Sequence, residues 1–341
     1  NGMRCSAAAA YLKPIRSRKN LHIITHAHTD KIEFDGMRAT AVMVRVRGKS
    51  QRIKVGREII LSAGSIGSPQ ILMLSGIGDQ NDLGKHGIES THHLPGVGRN
   101  LQDHLQARPV FKCNASTINT ETKNPLQLAS IALEYAFKRS GPMAMAASLG
   151  TAFLKTHDAL ETPDIQFHLQ PFSADSVAEG SHKFSAFTAS VLQLRPESAG
   201  HLELVSANAD DYPAIHPNYL ATKTDCDTIV AGIKIARAVC QTEPVKSLIT
   251  EEYAPGAAVA DDDDAILDWA RNTATTIYHP TGTCKMGQDK MAVVDEKLRV
   301  YGVQNLRVAD ASIMPVITSG NTNAPTIMIG EKLSDLILQA V

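Results

Sequence analysis

Residues 58–78 read EIILSAGSIGSPQILMLSGIG. The apolar run at the start of this stretch predicts a buried strand, and a helical segment begins near Pro69. The small residues Ser62–Ser65 lie between the two, so the backbone of the turn can approach a phosphate or nucleotide at the positive end of the helix. The stretch predicts an α/β fold with a nucleotide crevice, although simple packing of a helix on a strand produces the same pattern.

The composition is that of a globular protein with about two domains. The chain has 341 residues, of which 43% are hydrophobic and 20% charged, and this excludes a disordered chain, a collagen and a coiled coil. Its 34 Lys and Arg residues balance 35 Asp and Glu residues, which argues against a nucleic acid as partner. No apolar run approaches the roughly 18 residues of a transmembrane helix, and peripheral contact with a membrane stays open.

The cysteines and the N-terminus give weaker indications of the compartment and of where the protein begins. None of the five cysteines is in CxxC spacing, which argues against a disulfide framework or a thiolate zinc site and favours a reducing compartment. Residues 1–5 have no apolar region typical of a secretory signal. The first residue is Asn1 rather than Met, so we expect the chain to lack the true start of the protein.

Periodicity and turn signals predict the other elements. Between residues 164 and 205, alternating apolar positions predict an antiparallel sheet, with a turn at 195–200 between its last two strands. Acidic residues favour the helix starts at 225 and after the run 261–264. The further predicted elements are strands at 21–25, 41–47 and 306–309, and helices at 125–138, 225–240 and from Pro325 onward.

Histidines are the first candidates for chemistry. His26 and His28 would share one face of a strand, but no third ligand can be placed, so no metal is predicted. His279 lies in YHPTGTCKMG at residues 278–287, a segment rich in small residues of the kind that holds a general base, and a structural histidine is the alternative. Neither GxGxxG nor GxSxG occurs in the chain, so a serine hydrolase is poorly supported.

Four blocks of the sequence resemble the glucose–methanol–choline (GMC) oxidoreductases, which are flavoenzymes that oxidise alcohols. They occur in the order of the family and span nearly the whole chain, with the closest resemblance to choline dehydrogenases and acceptor-dependent alcohol dehydrogenases. The blocks are 64–78, which resembles the second family signature, 94–104, which resembles the block after it, 278–287, which resembles the catalytic-histidine block, and 305–336, which resembles the C-terminal block.

The resemblance implies FAD as cofactor and a hydride transfer from the alcohol to flavin N5. His279 aligns with the catalytic histidine of the family, and Asn321 aligns with the second polar residue of the catalytic pair. An alcohol needs one base and one hydrogen-bond partner for its oxygen, and these two residues supply one of each. The implied FAD-binding residues are Thr29, Gly64, Asp310, Ala311, Asn323, Pro325 and Thr326.

The resemblance also implies a division into domains. Residues 1–110 and 276–341 would form an FAD-binding Rossmann-like domain, and residues 111–275 would form an α+β substrate domain built on an antiparallel sheet. The Gly-rich ADP loop and the first βαβ unit of such a domain would precede Asn1. We therefore expect the isolated chain to bind FAD weakly or not at all.

The expected substrate is a small alcohol, choline-like or another primary alcohol, with oxygen or a quinone as electron acceptor. Choline would need an acidic or aromatic cage for its cationic group, and the single tryptophan, Trp269, falls in a predicted helix. A glucose-type sugar dehydrogenase is the alternative within the family. An inactive fragment that lacks the ADP-binding loop is the alternative from another class.

Overall fold

The computed structural model describes residues 2–146, 148–175, 180–259 and 261–339. The chain divides into two compact units, each assembled from separate stretches of sequence. Unit 1 comprises Asn1–Ala10, His104–Glu197 and Leu220–Ile277, and unit 2 comprises Tyr11–Asp103, Ser198–Tyr219 and Tyr278–Val341. Residues 198–219, which the sequence assigned to the substrate domain, belong to unit 2. Which unit binds the cofactor and which the alcohol stays a prediction.

The elements follow one another along the chain as follows. The strands are β1 (Ala27–Asp35), β2 (Arg38–Val46), β3 (Lys49–Lys54), β4 (Ile59–Leu61), β5 (Ile77–Gly78), β6 (His92–His93), β7 (Arg99–Leu101), β8 (Leu105–Ala107), β9 (Val110–Cys113), β10 (Gly150–Leu154), β11 (Ile165–Gln170), β12 (Ala186–Gln193), β13 (Gly200–Glu203), β14 (Ala214–His216), β15 (Ile249–Ala254), β16 (Thr275–Thr276) and β17 (Leu306–Val308). The helices are α1 (Lys13–Ile15), α2 (Gly64–Leu74), α3 (Gln80–Gly84), α4 (Ile118–Glu121), α5 (Pro125–Lys138), α6 (Lys223–Cys240), α7 (Val245–Leu248), α8 (Asp263–Thr273) and α9 (Asn323–Leu338).

The parallel pair β4–β17 lies at the centre of unit 2. Ile59 pairs with Leu306 and Leu61 with Val308, and these four side chains are buried in one apolar core. Because parallel strands present their carboxyl ends at the same edge, the turn after β4 and the turn after β17 emerge side by side. The strands predicted at 58–61 and 306–309 are therefore confirmed.

Helix α2 begins at Gly64, several residues before the expected start near Pro69, so Pro69 lies inside the helix. A proline has no N–H group to donate to the carbonyl four residues earlier. In this helix that carbonyl belongs to Ser65, and the Thr283 hydroxyl donates to it over 2.7 Å. A distant threonine thus satisfies the acceptor that Pro69 leaves open.

Strands β1, β2 and β3 form an antiparallel sheet beside α2. The Ile32 N–H donates to Ser75 Oγ over 2.8 Å and so links β1 to the end of the helix. The strand predicted at 21–25 is wrong, since these residues form no strand and Ile23 and Ile24 are about half exposed. Their β-favouring side chains find no neighbouring strand, and β-propensity has effect only where such a partner exists.

The last strand of the predicted 164–205 sheet belongs elsewhere. β13 pairs with β14 and β7 in unit 2, whereas β12 pairs with β11, β8 and β9 in unit 1. Gly200 explains the choice of partner, because a Cβ atom there would lie 1.8 Å from the His216 carbonyl oxygen. The predicted hairpin across residues 195–200 is therefore wrong, although its two strands exist.

Unit 1 is built on an antiparallel sheet with the strand order β10-β11-β12-β8-β16, to which β9 and β15 are joined through β12. Helix α6 packs against β12 and α8 against α6, and residues such as Ile165, Val191, Ile233 and Ile266 form the core between them. The α/β fold class, with an α+β part on an antiparallel sheet, is confirmed.

The predicted helices are present, with ends set by local capping. Asn124 caps α5 by accepting from the backbone of Leu126, and Asp262 caps α8 by accepting from Ala265, as short polar side chains do at helix starts. Helix α9 begins at Asn323 rather than at Pro325. Pro325 is tolerated there because the first turn of a helix has no internal acceptors for its N–H groups.

Candidate active site

His279 is held by a buried carboxylate. Its backbone N–H donates to Asp103 Oδ1 over 2.9 Å, and the Tyr219 hydroxyl donates to the other oxygen of Asp103 over 2.5 Å. Asp103 is 8% exposed, so both of its oxygens act in a largely desolvated setting where charge-assisted hydrogen bonds are strong. The His279 backbone is therefore fixed while its ring remains half-buried.

Asn321 meets the ring of His279. Asn321 Nδ2 lies 3.4 Å from His279 Nε2, within hydrogen-bond distance, although the two residues are 42 positions apart in the chain. With Nε2 as the acceptor, the proton of the neutral ring is on Nδ1. The arrangement places a candidate base and an amide donor at one point of unit 2.

Gln102 holds the loop that leads to Asn321. Its Oε1 accepts from the Ile317 N–H over 3.1 Å, and its Nε2 donates to the Pro315 carbonyl over 3.3 Å. Its backbone forms a two-bond bridge with Thr281, since each N–H donates to the carbonyl of the other residue, over 2.8 Å and 3.1 Å. The pair Gln102–Asp103 thus positions both segments of the candidate site.

Sequence reasoning quoted Gln102 and Asp103 as part of a family block without giving them a role. The signal that could have identified them is an amide and a carboxylate side by side directly after the apolar Leu101. Both side chains are buried, and a buried polar residue has to find partners.

Gly282 allows the two segments to approach each other. Its φ is +89°, and a Cβ atom would lie 2.4 Å from the Asn100 carbonyl oxygen. The Gly282 N–H donates to the Ala311 carbonyl, and Cys284 and Met286 continue the pattern with Ser312 and Ile313. A larger residue at 282 would push the His279 segment away from Asn100.

Asp310 ties together the turns at the carboxyl ends of β4 and β17. Its Oδ2 accepts from the Gly64 N–H over 2.9 Å and from Ser68 Oγ over 2.6 Å, and its Oδ1 accepts from the Ser312 N–H over 2.8 Å. Three of the predicted cofactor residues, Gly64, Asp310 and Ala311, are therefore neighbours in space, where an open α/β sheet binds its ligand.

The first turn of α9 carries Asn323, Pro325 and Thr326. Thr322 precedes the helix without a side-chain cap, and no acidic residue occupies the first turn. The Thr326 hydroxyl donates a hydrogen bond to the Thr322 carbonyl over 2.7 Å. Helix α9 packs against the turn Ala311–Ile313, and its first turn has a positive end that no side chain caps.

Thr29 is the predicted cofactor residue that the structure does not join to the others. It lies in β1, half-buried and paired with Val44. Among the described residues no hydrogen bond links its side chain to Gly64 or Asp310. The histidine pair proposed from the sequence also separates, because His26 precedes β1 with a φ of +53° and His28 Nε2 contacts the Ala209 carbonyl.

Unit 2 has features that fit a bound cofactor at this edge. Gly64 has a φ of +78° and open space at the position of a Cβ atom, so its backbone can be approached closely. Ser65 Oγ and Thr318 Oγ1 are buried and have no hydrogen-bond partner among the described residues. A buried hydroxyl that lacks a protein partner commonly forms its hydrogen bond with a ligand or a water molecule. The residues present therefore fit a polar cofactor such as FAD.

Cys284 lies in the same segment as His279 but does not have the properties of a nucleophile. Burial, reinforced by the charge of Asp310, raises the pKa of the Cys284 thiol. The thiolate is the reactive form of cysteine. The segment therefore offers a histidine rather than a cysteine for chemistry.

Comparisons with known proteins agree with this geometry. Two family models, both described as GMC oxidoreductase, match residues 1–106 and 196–330. The chain is 43% identical over 338 residues to the human mitochondrial choline dehydrogenase, covering 98% of this chain and 57% of that protein. It is 40% identical over 344 residues to the alcohol dehydrogenase [acceptor] of Pseudomonas putida, covering 100% of this chain and 62% of that protein.

A solved structure gives the same result for the fold. The formate oxidase of Aspergillus oryzae, studied for its FAD modification, superposes with a TM-score of 0.87 at 26% identity, covering 95% of this chain and 62% of that chain. Two parallel strands whose following turns are joined by Asp310, with a His–Asn pair in the same unit, indicate an α/β oxidoreductase that binds its cofactor at this edge. The chain belongs to the GMC oxidoreductases, a family of FAD-dependent enzymes that act on alcohol donors.

The chain spans about three fifths of the length of the curated relatives that it matches. Within the described ranges, none of the helices is both long and apolar enough to cross a membrane.

Proposed function

We propose that this protein oxidises a primary alcohol to an aldehyde with FAD as hydride acceptor, and that His279 and Asn321 are its catalytic residues. The observation that carries this proposal is the 3.4 Å separation between Asn321 Nδ2 and His279 Nε2. An alcohol oxygen needs a base and a hydrogen-bond donor at one point, and this pair supplies both. The identity to relatives named choline dehydrogenase and alcohol dehydrogenase supports the same reaction class.

The proton moves to His279 in this proposal. A hydroxyl oxygen about 2.8 Å from each nitrogen forms the apex of a triangle on the 3.4 Å base, which is a normal hydrogen-bond distance to both groups. His279 Nε2 takes the hydroxyl proton, while Asn321 Nδ2 donates a hydrogen bond to the oxygen as negative charge develops on it. Asp103 keeps the His279 backbone in place during the transfer.

Bound FAD would supply a hydride acceptor, so that an alcohol that gives its proton to His279 and its hydride to the flavin would become an aldehyde. Gly64, Asp310 and Ala311 would hold the cofactor at the carboxyl ends of β4 and β17, with Thr29 as a further contact. Asn323, Pro325 and Thr326 would approach it with the positive end of α9, which stabilises negative charge by about 1 kcal/mol in a partly buried setting. An external acceptor, oxygen or a quinone, would then remove the electrons.

The substrate proposed first is choline or a choline-like primary alcohol, because the relatives with 43% and 40% identity carry the names choline dehydrogenase and alcohol dehydrogenase. Tyr278 is adjacent to His279 and 75% exposed. An exposed aromatic ring is the kind of group that attracts a quaternary ammonium. A glucose-type sugar is the alternative substrate within the family.

The experiment measures flavin reduction in the full-length protein, loaded with FAD and mixed anaerobically with alcohol. His279→Ala should retain bound flavin and lose about 10²- to 10⁴-fold in reduction rate, the usual contribution of a general base. His157→Ala is the matched control, because His157 is exposed in unit 1 and should leave the rate unchanged. A His279→Ala variant that reduces flavin at the normal rate would contradict the assignment.

Substrate class is tested with the same measurement on three alcohols: choline, its neutral analogue with carbon in place of nitrogen, and glucose. A cation-recognising site prefers choline to the neutral analogue, whereas a site that recognises shape alone treats the two alike. Fast reduction of the flavin by glucose and none by choline would contradict a choline-like substrate and support a sugar dehydrogenase.

A further inference from the structure

Three side chains with metal-ligating atoms converge on the hairpin of β13 and β14 in unit 2. His201 and Glu203 are alternate residues of β13 and therefore share one face. His216 is the register partner of His201 on β14. One ligating atom from each of the three residues lies within 4.8 Å of the others.

The distances suit a cation between them. His201 Nε2 lies 3.1 Å from Glu203 Oε1, and His216 Nε2 lies 4.0 Å from Glu203 Oε2. Two ligands placed about 2.0–2.1 Å from a tetrahedral zinc ion are separated by roughly 3.3 Å. The first pair already has this spacing. The His216 ring is stacked on that of His201, with centroids 4.7 Å apart, and its side chain, which is 51% exposed, would have to rotate to bind the same ion.

The neighbouring positive charges are engaged elsewhere. Arg99 NH1 lies 4.0 Å from Glu203 Oε1, but NH2 of the same guanidinium is bonded to Asp82 over 2.6 Å. Lys85 bonds to the same carboxylate over 2.7 Å, and these two cations lower the pKa of Asp82. Glu203 is therefore free to turn its carboxylate toward the two imidazoles.

We propose that His201, Glu203 and His216 form a binding site for a divalent transition-metal ion, with Zn²⁺ as the preferred ion. Two imidazoles and one carboxylate form a ligand set suited to zinc, and water would complete the coordination. The sequence could not indicate this site, because His216 is 15 positions from His201 and only the strand register brings them together. None of these three residues belongs to the His279–Asn321 pair.

A bound metal would link β13 to β14 in a hairpin whose loop is hydrogen-bonded to the β1–β3 sheet and to α2. In the loop between β13 and β14, the Asp210 carboxylate accepts two hydrogen bonds from the Arg45 guanidinium, over 2.7 Å from NH1 and 2.6 Å from NH2. The Asp211 carbonyl accepts from Gln70 Nε2 over 2.9 Å. Since a metal that binds only the folded state stabilises it, the proposed role is to fix this hairpin.

The experiment titrates the full chain, carrying no histidine tag and stripped of metal, with Zn²⁺ by calorimetry and with Co²⁺ by visible absorption. We expect one ion per chain, the intense absorption typical of four-coordinate Co²⁺, and a higher melting temperature with Zn²⁺. His216→Ala should weaken Zn²⁺ binding at least about tenfold, because loss of an outer-shell partner alone costs about 10- to 100-fold. Glu203→Gln keeps the size of the side chain and should also weaken binding.

His157→Ala is the control, since His157 is exposed and lies in unit 1, and its Zn²⁺ affinity should equal that of the unaltered protein. Circular dichroism of each variant shows whether it is folded. Binding that is equally strong in folded His216→Ala or Glu203→Gln, or the absence of one-to-one binding in the unaltered chain, would overturn the proposal. Reduction of flavin by alcohol is a separate measurement, so the outcome here leaves the proposed enzyme function untouched.

Discussion

At the scale of single residues, two alternative roles for Asn321, in chemistry or in helix capping, can be separated by experiment. Its Nδ2 contacts His279 Nε2, but it also lies next to the start of α9, where an asparagine often caps a helix. The residue in the capping position of α9 is Thr322, and it makes no side-chain cap. This favours a role for Asn321 in chemistry over a role in helix stability.

We therefore predict that Asn321→Ala slows flavin reduction by alcohol about 10²-fold or more, the usual effect of removing one donor to a developing oxyanion. The melting temperature should change little, because the side chain is exposed. Gln288→Ala, an exposed substitution at the far end of the His279 segment, serves as control for both measurements. A clear loss of stability with an unchanged reduction rate would assign Asn321 to capping instead.

Thiol labelling gives a second prediction at this scale. Cys284 and Cys240 are buried, and Cys5 is exposed. Burial raises the pKa of the Cys240 thiol to about 12 and that of Cys284 further, so neither forms thiolate at about pH 8. Iodoacetamide should label Cys5 in the native protein and reach Cys240 and Cys284 only after denaturation, as read by peptide mass spectrometry. Rapid native labelling of Cys284 would show that the His279 segment opens to solvent.

At the scale of elements, β11 carries a titratable group inside the sheet of unit 1. His168 pairs with Ser190 of β12 and with Thr151 of β10. Its Nδ1 lies 3.2 Å from Ser148 Oγ, while its Nε2 is buried and has no hydrogen-bond partner in the described part of the chain. Desolvation by burial lowers the pKa of His168 below its ordinary value of 6.5.

This lowered pKa makes the stability of the sheet dependent on pH. The unfolded chain takes up the proton at a higher pH than the folded chain, so the stabilisation is complete above pH 6.5 and is lost as the pH falls through the folded pKa. We predict that His168→Gln, which keeps hydrogen-bonding capacity but does not titrate, loses less melting temperature between about pH 7.5 and about pH 5 than the unaltered protein. An identical loss in both proteins would exclude His168 as the source.

The helices and sheets also differ in how far the sequence predicts them. The helices α5, α6 and α8 have ends set by Asn124, Thr222 and Asp262, residues immediately next to the helix that they cap. Such local signals are visible in the sequence. The partner of β13 is not a local property, because it depends on the close approach that Gly200 permits to His216.

At the scale of the whole molecule, unit 2 is completed by the last part of the chain. Residues 278–341 supply β17, the partner of β4, together with half of the buried residues in its main core cluster. Unit 1 draws on none of these residues. The core of unit 2 therefore closes only when segments separated by more than 200 positions have come together, as Ser68 and Asp310 do.

A chain that stops after residue 277 should accordingly fail to fold unit 2. We expect low solubility and rapid trypsin cleavage within 11–103, because loss of β17 and α9 uncovers apolar side chains of the core. A chain that stops after residue 339 keeps both elements and is the control. Equal trypsin resistance of residues 11–103 in the two chains would show that unit 2 folds without its last segment.

The family blocks, the candidates His279 and Asn321, the strand–turn–helix at 58–76 and the capped helices can be predicted from the sequence, because they depend on residue type and local spacing within one segment. Three other features required the folded chain: the 3.4 Å distance between Asn321 and His279, the hydrogen bonds of Asp103 and Gln102 to the two segments of the site, and the pairing of His201 with His216. Each of these results from the pairing of distant strands and turns, and that pairing is fixed by burial of a shared core rather than by any one stretch of sequence.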